Sequence, residues 1–397
     1  METPSLTLKL RRGEDHRIRA GHPWIFSNEV DVQATPLVDF PVGAQVRVVN
    51  DRDQFLGFAY VNPHALICAR LLSRSESSPM DHSLIVHRLK QALALRARLY
   101  AEPYYRMVYG ESDGLPGLVL DRFDDVLVGQ IATAGMELMR GGLEAAVQES
   151  LAPKSLVWRN LGSARELEQL PREIRAGIGA IPERLTVREA GLTYSVNLAS
   201  AQKTGWFYDQ TANRAQLARF MPRGARVLDA CSYAGAWALS ALRAGAREAL
   251  CVDSSAAALA GAQANAAANG LAIQIRESDV FDALDELHRA GERFDVIVLD
   301  PPAFIKRRKD MARGQAAYRK LNHLAMRLLQ PDSLLVSCSC SWHLSNDDMV
   351  GLIQGAARQS SREVQIIAVG GQSPDHPLHP AIPETRYLKA YFCRVTR

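Results

Sequence analysis

The segment Ala225–Gly235, ARVLDACSYAG, constrains this chain more than any other. Ala225-Arg226-Val227-Leu228 is a short apolar run ending in Asp229, which predicts a buried strand and its tip. Ala234, Gly235, Ala236 and Ala238 open the next helix with small side chains, so a ligand can approach the backbone closely. A second strand, Ala249-Leu250-Cys251-Val252, ends in Asp253. An acid at that place accepts hydrogen bonds from ribose hydroxyls. A pyrophosphate would want G-x-G-x-x-G, yet Gly235 is the only glycine of the segment and Asp229 would repel phosphate. A nucleoside without phosphates but with a positive charge fits better, and S-adenosylmethionine is such a ligand. The competing reading is a packed strand–helix–strand unit that binds nothing.

The alternation continues from about residue 186. An alanine-rich helix over Ala256–Ala268 precedes a third strand at Ile273–Ile275, followed by Ser278-Asp279-Val280. A fourth strand, Phe294–Leu299, ends in Asp300-Pro301-Pro302, and Leu334–Cys338 is a fifth; Val364–Val369 and Tyr387–Val395 finish the sheet. Strands alternating with helices predict an α/β fold with a mostly parallel sheet. Asp229, Asp253, Asp279 and Asp300 follow four successive strands, and in an open α/β sheet those ends share one crevice.

The rest of the chain divides into two further units. Residues 1–75 hold short β-rich runs at Leu6–Leu10, Gln45–Val49, Phe55–Val61 and Leu66–Leu71, which predict a small all-β domain. There Arg11, Arg12, Arg17 and Arg19 precede His22-Pro23-Trp24-Ile25-Phe26-Ser27. This is either an RNA-backbone patch or a solvated basic face over a core tryptophan, and the residues alone weigh these equally. Residues 76–185 mix a helix over Leu84–Leu99 with strands around Gly110-Glu111-Ser112-Asp113-Gly114-Leu115-Pro116-Gly117, an α+β unit whose glycine-rich segment reads most simply as a tight turn. Gly177–Leu185 reads as the linker to a catalytic domain at 186–397. No apolar run approaches the ~20 residues that span a bilayer, and the N-terminus lacks a signal peptide's apolar core, so the expected location is the cytoplasm. The six cysteines form no metal-ligand pattern and no disulfide framework, so no metal is expected. A net charge of +4 permits nucleic acid without demanding it.

With Asp300-Pro301-Pro302 after the fourth strand, the chain resembles the class I S-adenosylmethionine-dependent methyltransferases. The His22–Ser27 segment resembles the start of a PUA domain, an RNA-binding β-barrel. Gly110–Gly117 and Lys203-Thr204-Gly205-Trp206-Phe207-Tyr208-Asp209-Gln210 resemble the RlmI-type large-subunit (23S) ribosomal RNA cytosine-5 methyltransferases. The resemblance implies a PUA domain, a central α+β domain and a Rossmann-like catalytic domain with a seven-stranded sheet. It also implies site roles. Asp229, Ala230, Ser232 and Gly235 line the cofactor loop; Asp253 holds the ribose, Asp279 the adenine edge, and Val280 packs on the adenine. Lys203, Tyr208 and Gln210 lie in the segment that covers the cofactor, and Asp300 faces both cofactor and base. Gly235-Ala236 stands where a glycine pair is typical, and Pro302 stands where related enzymes often carry a second cysteine.

Cytosine carbon 5 is a poor nucleophile, and a thiolate adding at carbon 6 makes it enamine-like. Cys338 and Cys340 both sit in Ser-Cys-Ser, so the motif alone does not choose between them. Cys340 lies further beyond the apolar run, nearer the crevice, and the gapless match of the family from Asp300 through Tyr318 and Asn322 also places the cysteine there. Asp300 is the candidate acid for ring nitrogen 3. Lys306-Arg307-Arg308-Lys309, directly after the Asp-Pro-Pro loop, reads as a phosphate contact for single-stranded or opened RNA. A homodimer is permitted. The rival readings are a guanine-nitrogen RNA methyltransferase, which needs Asp-Pro-Pro but no cysteine, and a non-catalytic RNA-binding assembly factor.

Overall fold

A computed structural model describes residues 6–397. They form two units. One gathers the residues up to Leu185 with Ala201–Trp206 and Asp375–Thr385; the other holds Thr186–Ser200, Phe207–Pro374 and Arg386–Arg397.

The first unit contains two five-stranded sheets. Strands β1 (Thr7–Lys9), β2 (Trp24–Phe26), β3 (Gln45–Val49), β4 (Phe55–Val61) and β5 (Ile67–Ser73) lie in the order β1-β3-β4-β5-β2 around Leu8, Ile25, Val46, Val48 and Val61. The second sheet is β6 (Tyr104–Tyr109), β7 (Leu118–Phe123), β8 (Val126–Ile131), β9 (Ser155–Asn160) and β10 (Glu173–Ile178), in consecutive order. The helix His82–Leu99 is capped by Asp81, whose carboxylate accepts the Leu84 N–H, and it carries Arg96 and Arg98 in its last turn. Tyr60 and Leu72 of the first sheet belong to the second sheet's core, and the Tyr60 hydroxyl reaches the Thr133 hydroxyl at 2.9 Å.

The Gly110–Gly117 segment has a structural role. Glu111 accepts hydrogen bonds from the Trp24 indole at 2.7 Å and the Arg70 guanidinium at 2.5 Å. Asp113 takes both arms of buried Arg96, at 2.5 and 2.8 Å. Gly114 then turns the chain at φ +72. These buried charges are paired, as burial requires.

The stretch expected as a linker holds strand at its two ends only, with residues 179–183 between them outside any strand. Gly177 and Ile178 end β10, and Arg184 opens β11 (Arg184–Glu189), which pairs with β12 (Leu192–Asn197). Ala190 and Gly191 form the hairpin turn, both with positive φ, which matches the twist of the flanking strands. The apolar alternation of β11 and β12 is the signal that marks them.

The second unit is built on β13 (Arg226–Ala230), β14 (Glu248–Asp253), β15 (Gln274–Glu277), β16 (Phe294–Leu299), β17 (Leu329–Ser339), β18 (Glu363–Gly370) and β19 (Lys389–Thr396). Their order is β15-β14-β13-β16-β17-β19-β18; β13 to β17 pair in parallel, and β19 runs antiparallel to both its neighbours. The chain leaves β13 for β14 on one side and returns to β16 on the other. That reversal places a switch point between β13 and β16, where the loops at their ends part and leave a crevice. Central strands are apolar on both faces: Leu228, Ile297, Leu299 and Leu335 pack with Leu321, Ala325, Leu352 and Ile353 of the helices Met311–Leu328 and Asn346–Gln359, and on the other face Val227, Val296, Val298 and Val336 are buried too. No helix of the described residues is long and apolar enough to cross a membrane.

Candidate active site

The loop after β13 is the most constrained backbone of the second unit. Cys231, Tyr233 and Gly235 all have positive φ, at 67, 46 and 77. Such strain in non-glycine residues persists only where surroundings hold it. Here the Cys231 and Ser232 N–H groups donate to the Val252 carbonyl at 2.9 and 3.0 Å, and the Tyr233 N–H donates to the Asp253 carboxylate at 2.9 Å. A Cβ on Gly235 would come to 3.0 Å from the Ala262 Cβ at a positive φ, so any side chain there would be both strained and tightly packed.

Asp253 accepts a second hydrogen bond from the Ser255 N–H at 3.0 Å and stays partly exposed at the end of β14. Asp229 is fully buried and takes the Ala238 N–H at 3.0 Å, leaving its Oδ1 without a partner. The Ser232 hydroxyl is likewise buried and unpartnered, and Ala230 closes β13 beneath them. Orphaned buried acceptors beside a tight loop closed by a glycine fit a polar, cationic ligand that supplies the missing contacts.

Burial pushes the Asp229 carboxyl up to about 7; the Ala238 N–H opposes this, and the charges of Asp300 and Asp253 add to the rise. A folded pKa above the unfolded value means that folding takes up a proton. The associated stability is full below the unfolded value near 4 and is lost as pH rises through about 7. Asp229→Asn should remove this dependence. Urea unfolding of the parent chain should weaken by roughly 2–4 kcal/mol between pH 4 and pH 8 from this group, and the variant should show a loss smaller by that amount. Equal losses in both would mean that the carboxyl titrates normally.

Asp279 differs from the strand-end acids expected of it. It is exposed and caps the helix Val280–Arg289, accepting the Phe281 N–H at 2.8 Å, so it has a structural reason to be acidic. Val280 beside it is half-buried.

At the end of β16, Asp300 accepts the Gln210 side-chain amide at 2.9 Å and the Trp237 indole N–H at 3.0 Å. Burial raises its carboxyl against those two donors. Gln210 is buried with Tyr208 in the short turn Tyr208–Gln210. Lys203 belongs to the first unit, where its carbonyl accepts from Arg159, so the Lys203–Gln210 motif divides between the units after Trp206.

Cys340 follows β17 directly and is partly exposed, with its Sγ 3.9 Å from the Pro301 carbonyl. Ser341 ties this corner to the Asp-Pro-Pro loop: its hydroxyl accepts the Ile305 N–H at 3.1 Å and lies 2.9 Å from the Tyr318 hydroxyl. Cys338 is buried in β17 opposite Ala390, and burial pushes its thiol far up, as suits an inert core cysteine. Of the described cysteines none is disulfide-bonded, and no group of described residues could hold a metal ion.

The basic residues divide. Lys306, Arg307, Arg308 and Lys309 are exposed, with Arg307 3.5 Å from Asp310. In the first unit, Arg11 donates to the Val30 carbonyl, Arg17 pairs with Glu29 at 2.6 Å, and Arg19 pairs with Asp15 at 2.7 Å; Arg12 is exposed. Much of that arginine cluster therefore braces its own domain. Sequence reasoning missed Trp237, Ser341 and Lys389, because an indole, a hydroxyl and a lysine on a closing strand carry no motif of their own.

This sheet order, with acids around a glycine-closed loop at the switch point, defines a class I methyltransferase domain. A family model described as S-adenosylmethionine-dependent methyltransferase matches residues 177–391, and one described as a PUA-like domain matches residues 8–74. The chain belongs to the S-adenosylmethionine-dependent methyltransferases, and S-adenosylmethionine is its cofactor. It is 35% identical to the ribosomal RNA large subunit methyltransferase I of Erwinia tasmaniensis, over 98% of this chain and 100% of that one. It is 33% identical to the protein of the same name from Photobacterium profundum, over 98% and 99%. Among solved structures, the fold superposes on the methyltransferase SMU.776 in complex with SAH, with a TM-score of 0.83 over 98% of this chain and 100% of that one at 20% identity. It also superposes on Trm5b from Pyrococcus abyssi, with a TM-score of 0.54 over 70% of this chain and 75% of that one at 13% identity.

Proposed function

We propose that this chain transfers a methyl group from S-adenosylmethionine to carbon 5 of a cytosine in large-subunit (23S) ribosomal RNA, through a covalent adduct of Cys340 at carbon 6. The observation that carries the reading is Cys340 itself: a partly exposed thiol at the tip of β17, against the Asp-Pro-Pro loop that follows β16. The names of the full-length relatives support the RNA substrate.

When bound, the cofactor supplies an electrophilic methyl on a sulfonium. Asp253 would hold its ribose, the loop Asp229–Gly235 its polar end, and Val280 its adenine, with Asp279 at the adenine edge. Tyr208 and Gln210 would cover it. The Cys340 thiolate adds to carbon 6, and carbon 5 gains the electron density to take up the methyl. Asp300, fixed by Gln210 and Trp237, would share a proton with ring nitrogen 3 as that charge develops. Loss of the carbon-5 proton to water then lets the carbon–sulfur bond break, which returns the proton of ring nitrogen 3 to Asp300 and restores the free thiolate. The base has to be out of its stack to reach the crevice, and Trp342, 40% exposed two residues after Cys340, offers a face for neighbouring bases. The natural place for this reaction is the cytoplasm.

RNA carrying 5-fluorocytosine tests the chemistry, because fluorine at carbon 5 blocks release. A denaturation-stable protein–RNA adduct that disappears in Cys340→Ala is the expected result. Methylated guanine with no adduct would replace this reading with the guanine-nitrogen one.

The exposed run after the Asp-Pro-Pro loop would contact phosphates, with Arg12 and the outward edges of Arg11, Arg17 and Arg19 as a second patch. Replacing Lys306, Arg307, Arg308 and Lys309 together by alanine should flatten the dependence of log affinity on log salt by up to about 3, near 0.7 per single-strand phosphate lost. Filter binding across a salt series reads this directly, and an unchanged slope would make the run a bare solvated loop.

A further inference from the structure

Lys389 is a buried lysine that the chemistry above leaves unused. It opens β19, lies opposite Ser339 of β17 in the antiparallel register, and is only 6% exposed. Its Nζ donates to the Ser341 carbonyl and to the Tyr387 carbonyl, both at 3.0 Å. It therefore pairs with the residue before Cys340 and bonds the residue after it, and the ammonium is fixed against the Ser-Cys-Ser turn. A lysine is seldom buried without an anionic partner. Its two fixed acceptors are neutral carbonyls, and a third N–H is left over in the charged form.

We propose that Lys389 is the positioning residue that holds Cys340 as a thiolate: its ammonium, clamped on the Ser341 carbonyl, supplies the positive charge beside the sulfur and fixes the turn that presents it. This rests on Cys340 being the nucleophile. In the resting enzyme the Sγ–H bond breaks, its proton leaves to water, and the ammonium remains protonated opposite the thiolate.

The surroundings favour this assignment. Burial lowers Lys389 to about 8, while negative charge on Cys340 raises it again and Arg386 lowers it, so the two groups stabilise each other's charged forms. The other groups facing this corner do not serve. Asp300, at the end of β16, and Asp209, bonded by the Tyr387 hydroxyl, are acids and would oppose a thiolate. Tyr318 from the helix Met311–Leu328 and Cys338 from β17 are both pushed upward by burial. Asp347, on the helix Asn346–Gln359, is exposed and acidic, and Arg386 is exposed to water.

The test is the pH dependence of iodoacetamide alkylation at Cys340 in the full chain, followed by tandem mass spectrometry that separates Cys340 from Cys338. No RNA is needed. The parent enzyme should react with a midpoint below the ordinary thiol value of about 8.5. Lys389→Met, which keeps the stem and removes the charge, should raise the midpoint by about one unit and slow alkylation at pH 7 roughly tenfold. Lys389→Arg should restore most of the low midpoint. A parent midpoint at or above 8.5 overturns the proposal without any variant, as does an unchanged midpoint in a Lys389→Met protein that still binds S-adenosylmethionine. If instead Cys340→Ala keeps full methylation, the nucleophile assignment fails, whatever the alkylation profile.

Discussion

Cys340→Ala should abolish methyl transfer, by about 10⁴-fold or more, while S-adenosylmethionine binds as before. Without the sulfur, carbon 5 has no route to enamine character, and nothing else on this sheet edge replaces it. Cofactor affinity should hold because the contacts proposed for it lie at and after the ends of β13, β14 and β15 and in the Tyr208–Gln210 turn, and none lies on β17. Cys338→Ala should keep most activity, at a modest cost in stability from the buried sulfur it removes. Single-turnover transfer to ribosomal RNA, beside calorimetric titration of the cofactor, separates these outcomes. The reverse pattern would move the nucleophile to Cys338, and full activity in both variants and in the double variant would end covalent cytosine chemistry for this enzyme.

The second large effect is at Asp253. Asp253→Ala should weaken S-adenosylmethionine binding about 10- to 100-fold, the equivalent of roughly 1.5–3 kcal/mol for charge-assisted hydrogen bonds. The geometry places the expectation at the upper end. The same carboxylate holds the Tyr233 and Ser255 N–H groups, so alanine would remove the ribose acceptor and also release a loop kept at positive φ. Asp253→Asn should fall between, because its single carbonyl oxygen keeps only part of that brace. Calorimetry on the three proteins gives the order directly, and equal affinities would remove Asp253 from the cofactor site.

Much of the catalytic unit was legible in the chain itself. β13, β14, β16 and the second half of β17 hold apolar runs that end in polar or small residues, and strands buried on both faces are bound to read that way. The helix Ala256–Ala268 matched its alanine-rich run for a similar local reason, since alanine favours helix without help from neighbours. The absence of a dinucleotide glycine pattern was likewise local, and it pointed away from phosphate before any fold was known.

What the sequence could not decide depended on partners distant in the chain. Glu111 reads as part of a glycine-rich turn, yet it anchors Trp24 and Arg70. Three arginines of the N-terminal cluster turned out to have partners within their own domain. Asp279 looked like one of four equivalent acids and is a helix cap. The first residues of β11 lay within an apparent linker, because the pairing of β11 with β12 depends on a two-residue turn at positive φ. Lys389 carries no signal at all in sequence. Its meaning arises only because antiparallel pairing brings β19 beside β17, across the intervening residues 340–388. Local propensity and periodicity are properties of neighbours along the chain, whereas burial, charge pairing and the surroundings of a thiol are properties of neighbours in space, and those exist only once the sheet has closed.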